Sequence, residues 1–103
     1  MPEFDTILTK MRARAGALRG LGYRVRIDFT DLDESILLDG TGPQTTVEAG
    51  DGEADTVLRL SSTDMEKLAR GQLSPMLAFA TGKLRVEGSK GVAMKLAGLL
   101  DED

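Results

Sequence analysis

The sequence contains no cysteine, no histidine and no tryptophan. Without thiols it can build no disulfide framework, thiolate nucleophile or cysteine-held zinc. Without imidazole, a Ser-His-Asp triad, a histidine-ligated metal and histidine acid–base work are excluded. Aromatic residues make up only 4%, too few for the stacking platforms that grip single-stranded nucleic acid. Uncharged stretches are short and broken by Gly, Ser or Thr, so no transmembrane span fits. The start, Met1-Pro2-Glu3-Phe4-Asp5, lacks the basic-then-apolar pattern of a secretory signal, and a cytoplasmic protein is the expectation. Carboxylates, lysines and hydroxyls are the chemistry that remains. Such a composition points to a binding module rather than an enzyme.

What is present fits one domain over 1–103, with 41% apolar residues. The net charge is −4 and unevenly spread. From Lys10 to Arg26 there are six cations and no acid, and from Asp28 to Glu66 eleven acids against the single cation Arg59. The basic N-terminal third is suited to anionic lipid head groups or an acidic partner; equally, the two signs are simply two solvated faces. The acidic middle would repel phosphates, so no nucleic-acid partner is expected.

Hydrophobic spacing sets out the elements. Phe4, Ile7, Leu8, Met11, Ala15 and Leu18 share one face of a first helix, weakened at Gly16 and ended by Gly20 and Gly22. The period then becomes two: Tyr23, Val25, Ile27 and Phe29 alternate with Arg24, Arg26, Asp28 and Thr30. Further strands are expected around 35–39, 44–49 and 54–61, and the first four read largely as antiparallel hairpins. Thr63-Asp64-Met65-Glu66 has capping-box spacing, Ser74-Pro75 is a second helix start, Leu84 and Val86 mark a short fifth strand, and Gly88-Ser89 opens a last helix to about Leu100. A sheet wet on one face must cover the other with helices. The expectation is an α+β, two-layer fold: a five-stranded, mostly antiparallel sheet with helices on one face.

Most motif matches fail. Gly82-Lys83 lacks the spaced glycine and the following hydroxyl of a phosphate loop. Asp31-Leu32-Asp33 lacks the glycine and terminal glutamate of a calcium loop. The carboxylates Asp31, Asp33 and Asp64 lie at turns or a helix start, where turn formation and dipole complementation account for them. Catalysis by these carboxylates is therefore the least favoured reading. The late part of the chain, however, is rich in adaptable apolar residues. Leu73, Met76, Leu77 and Phe79 crowd a segment too short to need such anchoring, and Met94 stands opposite the main apolar arc of the last helix. Methionine fills irregular space, so this is either an incomplete core that holds an apolar ligand, or an ordinary core with one exposed methionine.

The ordered run Leu60-Ser61, Asp64, Leu68, Gly71, Leu73-Ser74-Pro75, Ala78-Phe79, Gly82-Lys83-Leu84-Arg85-Val86, Gly88 and Gly91-Val92-Ala93-Met94-Lys95-Leu96 resembles the C-terminal half of sterol carrier protein type-two domains, the non-specific lipid-transfer family. Gly52-Glu53-Ala54-Asp55 fits as well, and the N-terminal half matches in architecture. The resemblance implies an apolar tunnel between sheet and helices that takes fatty acid, acyl-CoA, sterol or hopanoid, phospholipid or quinone, with no metal or cofactor and no catalysis. It implies a tunnel wall from Leu68, Leu73, Met76, Leu77, Phe79, Leu84, Val86, Met94, Leu96 and Leu99. The chain ends without the Ser-Lys-Leu peroxisomal address of eukaryotic carriers and without extra C-terminal cover, which leads to the expectation of a small bacterial, cytoplasmic form. The expected partners are a lipid or acyl-CoA ligand and, transiently, an anionic membrane met through the basic N-terminal third, in a monomer or weak dimer. The alternative is an accessory interaction or dimerisation module that presents lipid substrates to an enzyme.

Overall fold

Alternation in Arg24–Phe29 puts Val25, Ile27 and Phe29 on one side of a strand, β1, and Arg24, Arg26 and Asp28 on the other. The remaining strands are β2 (Glu34–Asp39), β3 (Thr46–Ala49), β4 (Thr56–Leu60) and β5 (Arg85–Gly88). The helices are α1 (Phe4–Ala13), α2 (Ser62–Ala69), α3 (Pro75–Ala80) and α4 (Lys90–Leu100). The computed structural model describes residues 3–16, 18 and 21–100, with backbone alone at 95 and 97–100.

The sheet order is β3-β2-β1-β4-β5. Three neighbouring pairs are antiparallel, but β1 and β4 run parallel, with Ile27 opposite Leu58. The connections β1–β2 and β2–β3 are the antiparallel hairpins expected, and only the step from β3 to β4 departs from that reading. The chain leaves β3 at one edge and enters β4 beyond β1, so residues 50–55 must cross the sheet. They do so over its outer, polar face. A Cβ at Gly52 would lie 3.0 Å from Leu37, and the Arg26 guanidinium donates to the carbonyls of Asp51 and Gly52 at 3.3 and 3.4 Å. Asp55 then closes on Arg24 through its own N–H and through its carboxylate, at 2.9 and 3.0 Å.

The inner face carries Val25, Ile27, Phe29, Ile36, Leu38, Val47, Leu58 and Leu60, all buried in one cluster with residues of the helices. Helix α1 packs over β3, and α4 over β4 and β5 with α2 and α3 beside it. The rings of Phe4 and Phe29 meet edge to face at 6.3 Å. Helix α1 stops at Ala13 rather than near Leu18, because the chain tightens into three-residue turns at Arg14 and Ala15. Leu18 is nonetheless fully buried, its carbonyl held by the Thr45 hydroxyl at 2.8 Å.

The caps differ from expectation once. Ser61, not Thr63, caps α2 by accepting from the Asp64 N–H at 3.0 Å. Ser74 caps α3 as expected, with Pro75 in the first turn. Gly88 closes β5 with φ +92°, and a Cβ there would sit 2.4 Å from the Asp55 carbonyl oxygen, so no larger residue fits without moving β4.

Candidate functional site

In the second half of the chain, α2 and α3 are short pieces, each capped by a serine (Ser61, Ser74) and followed by a glycine of positive φ (Gly71, Gly82). Helix α2 is anchored from the β1–β2 turn. Ser62, wholly buried, donates its N–H and hydroxyl to the Asp31 carboxylate at 2.8 and 2.5 Å. Burial pushes the Asp31 carboxyl up, but the Ser62 hydroxyl and N–H outweigh it and hold the carboxyl below its ordinary value. With α2 so fixed, Met65 and Leu68 point into the core.

Of the residues expected in an apolar wall, Leu68, Leu73, Leu84 and Leu96 are buried. Phe79, Val86 and Met94 are half-buried. They stand on α3, β5 and α4, with α4 packed against both other elements. Val86 and Met94 lie against the main core. Met94 is thus not the free-standing methionine that the helical wheel suggested, because α4 has neighbours on more than one side. Leu99 has its side chain outside the described residues. Met76 and Leu77 stand on the surface at 75% and 56% exposure, a correction to their place in the wall. Helix α3 has six residues, and the one side chain it buries is Ala78. The two larger side chains therefore face away. Lys90 was not foreseen: its ammonium lies 4.9 Å from the centroid of the Phe79 ring.

The outer face of the sheet is different in kind. Asp28 accepts from Ser35 at 2.7 Å, from Arg26 at 2.9 Å and from Arg59 at 3.4 Å, and Arg59 reaches on to Glu87 at 2.8 Å. Arg24 pairs with Asp39, and Arg12 with Glu48 and the Val47 carbonyl. Basic and acidic segments that are separate in sequence are interleaved in space. A cleft of about 410 Å³ on this face is lined by Asp28, Asp33, Glu34, Asp51 and Arg59 among others, a lining that suits water and ions rather than an alkyl chain. Among the described residues, no group of three or more Asp or Glu is arranged to hold a metal ion, and no helix is long and apolar enough to cross a membrane.

The sequence matches the SCP-2 sterol transfer family over residues 4–101. The chain belongs to this family. A sterol carrier protein 2 from Yarrowia lipolytica, in its apo form, shares 25% identity and superposes with a TM-score of 0.72, covering 89% of this chain and 77% of that one. A hydroxysteroid dehydrogenase-like protein 2 from Xenopus tropicalis is 39% identical over 74 residues, 72% of this chain but 16% of the relative. A sec-alkylsulfatase from Pseudomonas sp. contains the same fold, with TM-score 0.77 and 21% identity over 97% of this chain and 16% of that one. This chain spans between 12% and 16% of the length of the first dehydrogenase-like relatives. The family places lipid or sterol binding and transfer on this fold.

Proposed function

We propose that the chain, acting as one unit over 1–103, binds a single long-chain apolar ligand between its helical layer and the inner sheet face, and carries it without covalent chemistry. Family membership over residues 4–101 is the observation that carries this reading. The ligand is a fatty acid, acyl-CoA, sterol or hopanoid, phospholipid or quinone. Leu68, Leu73, Leu84 and Leu96 form the wall of the site, and the half-buried Phe79, Val86 and Met94 form its approach. The carrier works in the cytoplasm as a monomer or weak dimer.

The driving force is burial of alkyl groups. Each methylene is worth roughly 0.8 kcal/mol, so ten supply on the order of 8 kcal/mol. Micromolar binding needs about 8 kcal/mol net, so with association costs of at least about 4 kcal/mol the ligand must bury roughly fifteen methylenes, the length of a long acyl chain. The test is displacement of a fluorescent fatty acid in vesicle-free buffer, paired with thermal melting. A long-chain acyl ligand displaces the probe at micromolar concentration and raises Tm. A panel of the five ligand classes that neither displaces the probe nor shifts Tm overturns the reading.

A second reading is favoured by one observation: the dehydrogenase-like relative and the sulfatase carry this fold as a small part of much longer chains. On that reading the unit presents lipid substrates to an enzyme, and it would hold the probe only weakly when alone.

A further inference from the structure

A single exposed apolar side chain is ordinary on a protein surface. Met76 and Leu77 are adjacent, lie on one short helix, and account for two of the three large hydrophobics exposed among the described residues. Their surroundings are also unusual in charge. From Lys67 to Leu100 the sequence holds six cations (Lys67, Arg70, Lys83, Arg85, Lys90, Lys95) and one acid, Glu87, within a chain whose net charge is −4. Glu87 is taken up by Arg59 at 2.8 Å on the outer sheet face. Lys83 is exposed in the turn that follows α3, and Lys90, also exposed, lies over Phe79 of α3 itself. Arg70 is held by Glu66 at 3.0 Å, so the cations that flank α3 are Lys83, just past its end, and Lys90, against its Phe79, with no carboxylate in the sequence from Lys67 to Val86.

We propose that α3 is a membrane-docking element. It lays Met76 and Leu77 into the boundary between head groups and acyl chains of an anionic bilayer, with Lys83 and Lys90 against lipid phosphates. The proposal deepens the carrier reading and rests on it for its purpose. Two side chains are too small a patch for a stable protein interface, which needs about 800 Å² per partner. They suffice for shallow interfacial insertion when flanking cations add attraction to anionic lipid. Among the N-terminal cations, Arg12, Arg24 and Arg26 are less available for this role, since they already hold Glu48, Asp39 and Asp28.

The experiment is co-sedimentation of the ligand-free full chain with phosphatidylcholine vesicles, with and without phosphatidylglycerol. The wild type binds the anionic vesicles and is partly released by salt. Met76→Glu/Leu77→Glu lowers partitioning at least about tenfold, and Lys83→Glu/Lys90→Glu removes the preference for phosphatidylglycerol. The milder Met76→Ser/Leu77→Ser changes binding in the same direction. Both α3 variants keep the Tm of the wild type. The two α3 variants also keep the fatty-acid affinity measured without vesicles. Wild type that sediments with neither vesicle, α3 variants that bind as well as wild type, or loss of binding in Lys10→Glu/Arg12→Glu alone would each overturn the proposal. So would a concentration-dependent dimer that the α3 variants dissolve while no vesicle is bound. A wild type that docks on anionic vesicles yet holds no fatty acid supports docking and removes the carrier reading instead.

Discussion

Asp28 and Phe29 are neighbours in β1 and face opposite ways, and the two faces reach stability by different means. On the outer face, Asp28 is satisfied by Ser35, Arg26 and Arg59, all on the sheet itself, and the crossing segment 50–55 adds backbone carbonyls for Arg26. On the inner face, Phe29 is 1% exposed and meets Phe4 from α1, within a cluster that also draws on α2 and α4. The outer face closes on itself and needs nothing further. The inner face depends on helices from both ends of the chain, which is why the carrier reading proposed above puts its alkyl ligand there.

The sharpest way to break this comparison is Phe29→Ala. It should cost about 3–5 kcal/mol by urea denaturation, the range for removing a buried aromatic ring. That is a large share of the roughly 5–15 kcal/mol available to a domain of this size. A loss below about 1 kcal/mol would mean that the helical layer is too loosely packed for Phe29 to matter, and the contrast between the faces would disappear.

How much of this was legible beforehand depended on range. Alternation in 23–30 is a local signal, and β1 follows it within a residue at each end. Ser74-Pro75 is local too, and it caps α3 as read. Strand order is not local. Gly50-Asp51-Gly52 looks like any hairpin turn, and only contacts with Leu37 and Arg26, far off in sequence, turn the segment into a crossover. Two hydroxyl-to-acid spacings compete at the start of α2, Ser61 to Asp64 and Thr63 to Glu66. The first wins, because Asp31 fixes Ser62 as the first helical residue. Apolar content at 73–79 was visible, but six helical residues are too few to show which way they face. Met76 and Leu77 were thus read as inward and stand outward.

The Asp31–Ser62 anchor joins the two halves of the fold, and its removal is the next largest effect expected. Asp31→Ala leaves the N–H and hydroxyl of a wholly buried serine without their acceptor. The cost should be about 2 kcal/mol in urea denaturation. Asp31→Asn keeps one acceptor oxygen and should lose roughly half as much. Equal losses from the two variants would show that the carboxylate charge, rather than the pair of hydrogen bonds, holds α2 to the β1–β2 turn.

Asp28→Asn should give the smallest effect, about 1 kcal/mol at neutral pH, because Arg59 is 41% exposed and water screens that pair. Its pH dependence is more informative than its size. Burial pushes the Asp28 carboxyl up, but the Ser35 hydroxyl and the Arg26 and Arg59 guanidiniums outweigh burial and hold it below its ordinary value of 3.8. A carboxyl lowered by folding contributes its stability in full above the unfolded value and loses it as pH falls through the folded one. The gap between wild type and Asp28→Asn should therefore stay level near neutrality and narrow below 3.8. Added salt should trim it at neutral pH without removing it, since the Ser35 hydrogen bond is not screened. A gap that persists in acid would mean that Asp28 serves only as a hydrogen-bond acceptor for Ser35. The outer face would then not be held by its charges, and its independence from the helical layer would need another cause.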